Sequence, residues 1–560
     1  MTVGVREQPR GADSPRPRPG ARPGLVGWLT GLAVLAGVGY RLWLLLHAAP
    51  PTNSDEATMG LAALHIARGE GFPVWFYGQQ YMGTLEAYLA APVFALAGGP
   101  SLLGLRLPTL ALYALFLLLA WRLTLRLTGD RWFGLLMVAL LALGSDRIVK
   151  NQLIAGGGYP EMNAAGAALA LLAVDLATGR PGRRSAAAGR PGRRLARWGA
   201  WGFLAGLMLW VDPLVLPYVA ATGAVLVVFC RRELWGAAGA LLGVAAVLGA
   251  APLLLHSLLT GRNPLHAVLA ASGANASAGW PDRLHGGLVL GPGLGMGFCA
   301  PGQCATWQLW WALALPLLLA IAAATAWRAL RIPGPAGTAA VGPDAVSPRV
   351  AAAARLALVL AAVATLGAYT VSSSAGLTPV ESSRYLSCLL ISLPALLWPV
   401  WTVARHGLRP AAIGRRGVGS TLARSVAVVL LAVTLGTAAH ATWRAAEAVS
   451  ATQAAEARHT ELVGTLRQLG VRHVRAGYWT CNRLTFASAE QVVCAVVDDT
   501  LRPGFDRYPA YRREVDSAVA PAWVAPAGSP LAEVLDERQR VTPGSLDLIT
   551  IEGWRIYLPR

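Results

Sequence analysis

Apolar runs of near-spanning length recur from about residue 25 to residue 446, separated by short polar segments. A helix crossing the hydrocarbon core needs about 20 mostly apolar residues. Runs of that kind lie near 25–47, 102–127, 131–147, 160–177, 198–212, 213–230, 235–258, 307–329, 351–372, 385–404 and 424–446, which predicts eleven spans. The stretch 84–99 is apolar but short and reads as a re-entrant or interfacial helix. Asp212-Pro213 must turn the chain tightly between two short spans. After 447 charge rises, apolar runs shorten and the pattern alternates. A helix near 450–469, with Leu462, Leu466 and Leu469 on one face, leads there into strands near 471–475, 491–497, 521–524 and 546–551, with a helix near 530–538. This tail, 447–560, predicts an α/β domain of about 100 residues, large enough to fold alone.

Composition supports that division. Of 560 residues 55% are hydrophobic and 14% charged, with mean hydropathy +0.48, whereas soluble domains carry about 25% charged residues. The expected fold class is a polytopic α-helical membrane protein of about 11 transmembrane helices with a small C-terminal α/β extracytoplasmic domain.

The net charge of +19 suits nucleic acid, but its placement does not. The arginines cluster between apolar runs, where cytoplasmic loops collect them, so the charge sets orientation and no nucleic-acid partner is expected. Residues 1–24, with Arg6, Arg10, Arg16, Arg18 and Arg22 among prolines and glycines, read as a disordered cytoplasmic tail. The first span lacks a cleavage site and reads as an anchor. The segment 25–446 is then the membrane domain. Loops 178–197 (which repeats GRPGRR), 231–233, 328–355 and 405–424 fall inside. Segments 48–101, 146–159, 259–306, 373–384 and the tail fall outside. The expectation is a multi-pass protein of the plasma (inner) membrane, N-terminus cytoplasmic and C-terminus extracytoplasmic. Cys299 with Cys304, and Cys481 with Cys494, are disulfide candidates in an oxidising compartment. Cys230 and Cys388 read as span-packing residues.

The first exterior loop opens with Ser54-Asp55-Glu56. A hydroxyl cap followed by two carboxylates is a good helix start, and on that reading the pair does nothing else. Carboxylates held at the membrane boundary also mark sites when they face a cavity, which makes Asp55 a candidate base or metal ligand. This pair after the first span, an interfacial helix, the turn Trp75-Phe76-Tyr77-Gly78, and Leu105-Arg106-Leu107-Pro108 opening the second span together resemble the GT-C superfamily of membrane glycosyltransferases. More narrowly they are similar to bacterial relatives of protein O-mannosyltransferases and lipid A aminoarabinose transferases (glycosyltransferase families 39 and 83). The resemblance covers about 25–400 in architecture and the first hundred or so residues in motif. It implies an inverting hexosyl- or pentosyltransferase, with a polyprenyl-phosphate sugar reached from the membrane lipid and a cell-envelope glycan, lipid or protein as acceptor. Asp55 would be the general base. Glu56 would orient the acceptor or share a divalent cation (Mg or Mn) with Asp55.

Arg384-Tyr385 stands at the exterior mouth of a span, against the usual charge bias. An arginine fork there suits the donor phosphate, unless it simply pairs with Glu381. Lys150, the one lysine, is a further phosphate candidate. It precedes three glycines, Gly156 to Gly158, and then Tyr159 and Glu161, which are candidate sugar contacts. Tyr77, Gln80, Tyr81 and Glu86 suit an acceptor groove, or an interfacial aromatic belt. His256, His266 and His285 fit no compact metal spacing. The tail strings Gly477-Tyr478-Trp479-Thr480 and Arg507-Tyr508-Pro509-Ala510-Tyr511 suit either acceptor binding or packing. Competing classes are a transporter or flippase of lipid-linked sugars and a non-catalytic assembly factor.

Overall fold

The computed structural model describes residues 24–178, 191–263, 277–332, 346–407 and 418–560. The expected N-terminal tail, the first GRPGRR copy and His266 lie outside the described residues. Eight helices are long and apolar enough to cross a membrane: Leu25–Leu46, Leu102–Thr128, Tyr159–Thr178, Pro213–Leu234, Thr306–Arg331, Pro348–Val371, Pro379–His406 and Gly419–Gln468. Two bent pairs bring the number to ten if each is one span: Arg131–Ala142 with Asp146–Leu153, bent by 90°, and Ala237–Gly249 with Ala251–Thr260, bent by 62°. The remaining expected span, 198–212, falls in the helix Pro191–Val211, whose first turns carry Arg193, Arg194 and Arg197. Val228, Leu258 and Leu313 stand exposed on the bundle, an apolar exterior suited to lipid. The chain is a multi-pass α-helical membrane protein with a small C-terminal sheet domain.

In chain order, α1 is Leu25–Leu46, α2 Ser54–Arg68, α3 Leu85–Ala97, α4 Leu102–Thr128, α5 Arg131–Ala142, α6 Asp146–Leu153 and α7 Tyr159–Thr178. Next come α8 Pro191–Val211, α9 Leu216–Leu234, α10 Ala237–Gly249 and α11 Ala251–Thr260. Pattern alone predicts one span over 131–147, but α5 stops at Ala142 and α6 leaves at a right angle. Arg41 of α1 is the reason. Fully buried, it donates to the carbonyls of Ala142 (2.9 Å) and Leu143 (3.1 Å), to Gln152 Oε1 (2.8 Å), and lies 3.7 Å from the Tyr113 ring centre. Carbonyls left free at a helix end need donors, and here one side chain supplies them, so α6 crosses the bundle end and delivers 154–161 to the site. Elsewhere α8 and α10 touch backbone to backbone. A Cβ on Gly202 or Gly206 would fall 2.3 Å from the Leu242 carbonyl oxygen and 1.9 Å from that of Ala246, the close approach that small residues four apart allow.

The described parts of the expected exterior segments gather at one end of the bundle. Arg106 and Arg126 mark the two ends of α4, about 30 Å apart at 1.5 Å per residue. Near Arg126 lie the ion pairs Arg126–Asp175 and Arg197–Asp175, with Arg194–Glu233 and Arg405–Asp130 on the same connections. Near Arg106 lie the first loop, the 154–158 turn and the C-terminal domain.

That domain is a five-stranded sheet of order β2-β1-β3-β5-β4, with β1 His473–Ala476, β2 Val493–Val496, β3 Ala522–Pro526, β4 Leu546–Ile551 and β5 Trp554–Pro559. β1 runs parallel to β2 and β3, and β5 antiparallel to β3 and β4. The four anticipated strands form, and β5 adds to them. The helix Val449–Gln468 precedes the sheet with Leu462 and Leu466 buried and Leu469 41% exposed. Both candidate disulfides form, Cys299–Cys304 and Cys481–Cys494. Cys230 and Cys388 are buried and free.

Candidate active site

The helix α2 carries the site at its N-terminus. Asn53, not Ser54, is its cap: Asn53 Oδ1 accepts from the Glu56 amide at 2.8 Å, while Gly69 at φ 73° ends the helix. Ser54 is thereby free to bond elsewhere, and its hydroxyl donates to the Tyr478 carbonyl (2.6 Å) and accepts from Asn482 (2.9 Å). The amphipathic interfacial helix expected here is instead buried from Glu56 to His65. The helix Tyr478–Ala487 of the C-terminal domain lies on it so closely that a Cβ on Gly60 would fall 2.4 Å from the Phe486 ring. Across α2, Gly156 approaches the Asp55–Glu56 peptide, where a Cβ would lie 3.3 Å from the Glu56 nitrogen.

Asp55 and Glu56 diverge, as neighbours about 100° apart on a helix must. Asp55 is 23% exposed, and its Oδ1 accepts from Tyr478 Oη at 2.5 Å and Arg507 Nη2 at 2.8 Å. No hydrogen bond among the described residues reaches Oδ2, the open oxygen. Glu56 turns inward with no exposure, and Arg106 of α4 grips both its oxygens at 2.6 Å, Nε on Oε1 and Nη2 on Oε2. Arg106 Nη1 also donates to the Pro50 carbonyl at 2.9 Å. The sequence-based expectation that Glu56 acts beside Asp55 on the acceptor is therefore corrected: its carboxylate reaches no cavity. The shared cation at Asp55 and Glu56 fails on the same donor chemistry, since one carboxylate is filled by an arginine fork and the other already faces Arg507.

One group of described residues has ligand atoms within 4.8 Å of one another, His65, Glu70 and Glu490. It lies in the seam between α2 and the C-terminal domain, and Arg68 pairs with both carboxylates. His65 Nε2 lies 2.9 Å from Glu490 Oε1, and its Nδ1 lies 2.7 Å from Tyr77 Oη. Tyr511 Oη donates to Glu490 at 2.7 Å. Tyr508 packs 4.8 Å from the Tyr77 ring and 5.1 Å from His65. Tyr77 thus belongs to this seam. Burial raises the Glu490 pKa, but the bonds from His65 and Tyr511 and the Arg68 charge outweigh it, leaving a value of about 2. A folded-state value below the unfolded one stabilises the docked seam above the unfolded value and loses that stabilisation as pH falls through the folded one. Thermal unfolding scanned between pH 4.5 and 2 should show wild type losing more of its melting temperature than Glu490→Gln. Equal losses would remove Glu490 as the acid-sensitive contact.

The cationic side of the site is Arg384. Its guanidinium carbon lies 5.7 Å from the Tyr159 ring centre and 5.6 Å from that of Tyr385, and those rings stack at 6.4 Å. It makes no ion pair among the described residues, so the Glu381 pairing does not occur, and its Nε is buried without a hydrogen bond. Asp55 and Asp212 lie within its electrostatic reach, and Tyr81 stands within reach of both Arg384 and Arg507. Lys150 departs from expectation: its amine pairs with Asp146 at 3.0 Å, one turn back on α6. Arg147 of α6 instead points to this end, donating to the Val380 carbonyl at 2.6 Å.

Glu86 of α3 and Glu161 of α7 face each other, 2% and 3% exposed. The Gly157 amide points at Glu86 Oε2 from 3.4 Å, while Glu86 Oε1 and both Glu161 oxygens accept no hydrogen bond. Burial, and then the Glu161 carboxylate, raise the Glu86 pKa well above the usual carboxylate range. Gln80 is exposed and lines a cavity of about 440 Å³ with Pro73 to Gln79 and His256. The structure thus groups Arg384, Tyr385 and Tyr159, with Asp55 and Tyr81 within electrostatic reach, and pairs Glu86 with Glu161. Arg507 and Tyr478 were visible only as aromatic, arginine-rich strings in the tail.

No protein-family model and no curated protein matches the chain. Solved structures do. ArnT from Cupriavidus metallidurans bound to undecaprenyl phosphate superimposes with a TM-score of 0.56 at 14% identity, over 95% of this chain and 98% of that one. The apo state of the same protein gives 0.53 at 14% identity, over 96% and 97%. At that identity the likeness establishes the fold alone: this chain shares the fold of that structure over nearly its whole length, C-terminal domain included.

Proposed function

We propose that the chain is an inverting glycosyltransferase that moves a sugar from a polyprenyl phosphate to an extracytoplasmic cell-envelope acceptor. The observation that carries this reading is Asp55: one oxygen held, the other free of hydrogen bonds among the described residues, with the Arg384 guanidinium within electrostatic reach. The fold, shared with a protein solved with undecaprenyl phosphate, supports the lipid-linked donor. In this reading Oδ2 of Asp55 takes the proton from an acceptor hydroxyl. The hydroxyl oxygen bonds to the anomeric carbon from the face opposite the phosphate, and the carbon–oxygen bond to phosphate breaks with its electron pair. The products are the glycosylated acceptor, inverted at that carbon, and polyprenyl phosphate, whose charge Arg384 receives. An arginine fork suits such an oxyanion. Tyr385 and Tyr159 fix the arginine, Tyr81, Glu86 and Glu161 line the sugar side, and the site opens to the exterior of the plasma membrane.

In this proposal Arg384 supplies charge stabilisation for the departing phosphate. Protein in lipid nanodiscs, given a polyprenyl-phosphate sugar and an envelope-derived acceptor, should release one polyprenyl phosphate per sugar transferred, with the anomeric configuration inverted. Movement of intact lipid-linked sugar across the bilayer without transfer would instead establish a flippase.

A further inference from the structure

Beyond Asp55 itself, and resting on the reading of Asp55 as the base, we infer that Arg507 and Tyr478 of the C-terminal domain are positioning residues that select which oxygen of Asp55 does chemistry. The geometry is a closed triangle. Tyr478 Oη donates to Asp55 Oδ1 at 2.5 Å, Arg507 Nη2 donates to the same oxygen at 2.8 Å, and Arg507 Nε donates to Tyr478 Oη at 2.5 Å. The third arginine nitrogen, Nη1, reaches the Tyr77 carbonyl at 3.3 Å, and the guanidinium lies 4.6 Å from the Phe76 ring centre. Each nitrogen of Arg507 therefore already has a protein acceptor, and its side chain is only 8% exposed. This distinguishes it from Arg384, which makes no ion pair among the described residues and whose Nε is buried without a hydrogen bond. Arg507 is built to hold Asp55, and Arg384 to meet a ligand.

The triangle is anchored from two directions. Tyr478 opens the helix that α2 grips through Ser54 and Asn482, and Cys481–Cys494 ties that helix to β2. Arg507 follows Asp506, whose Oδ1 accepts from the Val496 amide of β2 at 2.8 Å and whose other oxygen pairs with Arg512. Gly78, at φ 75°, lets the first loop close on this segment, since a Cβ there would lie 2.9 Å from the Phe505 ring. One strand of the tail domain thus holds both partners of a carboxylate more than four hundred residues earlier in the chain. A base must lie within hydrogen-bond reach of its proton, and a misplacement of about 1 Å costs about 100-fold. With Oδ1 committed, the carboxylate cannot rotate, and Oδ2 is presented to the acceptor. The tail domain is in this sense part of the active site.

The test uses the full chain in nanodiscs and the transfer assay. Arg507→Ala should lower kcat about 100-fold with donor KM within about twofold, Tyr478→Phe should lower it less, and added guanidinium should restore part of the Arg507→Ala rate. Arg507→Lys, which keeps the charge, should fall between. Melting temperature and the intact Cys481–Cys494 bridge confirm that each variant is folded. Folded Arg507→Ala and Tyr478→Phe with wild-type kcat, while Asp55→Asn is inactive, would overturn the clasp and leave the glycosyltransferase reading standing. A folded Arg507→Ala that guanidinium does not rescue, or that is faster than wild type, would overturn it too. An active Asp55→Asn would instead remove the reading on which the clasp rests.

Discussion

Asp55→Asn should fold as the wild type does and lose transfer by about 10²- to 10⁴-fold, the range supplied by a positioned general base. The folding half of the prediction follows from the bonds at Oδ1. An asparagine carbonyl accepts from Tyr478 and Arg507 as the carboxylate does, and the helix cap belongs to Asn53, which is untouched. The chemical half follows from Oδ2, replaced by an amide nitrogen that takes no proton. Donor binding should persist, because Arg384 and the tyrosines around it are unaltered. The measurement is single-turnover transfer alongside donor affinity. A variant that binds donor and transfers at the wild-type rate would remove Asp55 from the chemistry.

Glu56→Ala should be the most destabilising single change in the first loop. The Glu56–Arg106 pair has no exposure on either side, and removing one partner of a buried pair costs about 3–5 kcal/mol, because the other charge is left uncompensated. Arg106→Ala should cost a similar amount, and would also free the Pro50 carbonyl. Replacing both, as in Glu56→Leu with Arg106→Met, should recover much of the loss, since apolar residues of similar volume substitute for buried pairs at little cost. Thermal unfolding of the three variants measures this. The double variant also decides the role of Glu56. If it folds stably and still transfers sugar, the residue is structural; wild-type stability with no transfer would return Glu56 to the chemistry.

These two neighbours show how far the sequence reaches. Position after the first span marked both carboxylates as unusual, and both are. Local pattern could not say that Asp55 stays partly exposed against Tyr478 and Arg507 while Glu56 turns to Arg106 fifty residues later, because that depends on the rotation of α2 against α4. The 131–147 run shows the same limit. Its hydropathy is that of one span, and the turn at Ala142 exists because Arg41, on another helix, satisfies the carbonyls of a broken one. Lys150 was notable in composition as the one lysine, yet an aspartate one turn away takes its charge.

What the sequence determined by itself was a polytopic helical protein with a small C-terminal α/β domain, four of its five strands, two candidate disulfide pairs, and a short set of polar residues near the ends of the spans. These are encoded locally, in the length of apolar runs, in period and in spacing. The tertiary structure decided which of those residues share a cavity, which are spent on one another, and that Tyr478 and Arg507 close on Asp55. Contacts across more than four hundred residues are made by the docking of folded units, and no periodicity in the chain records the angle at which two such units meet.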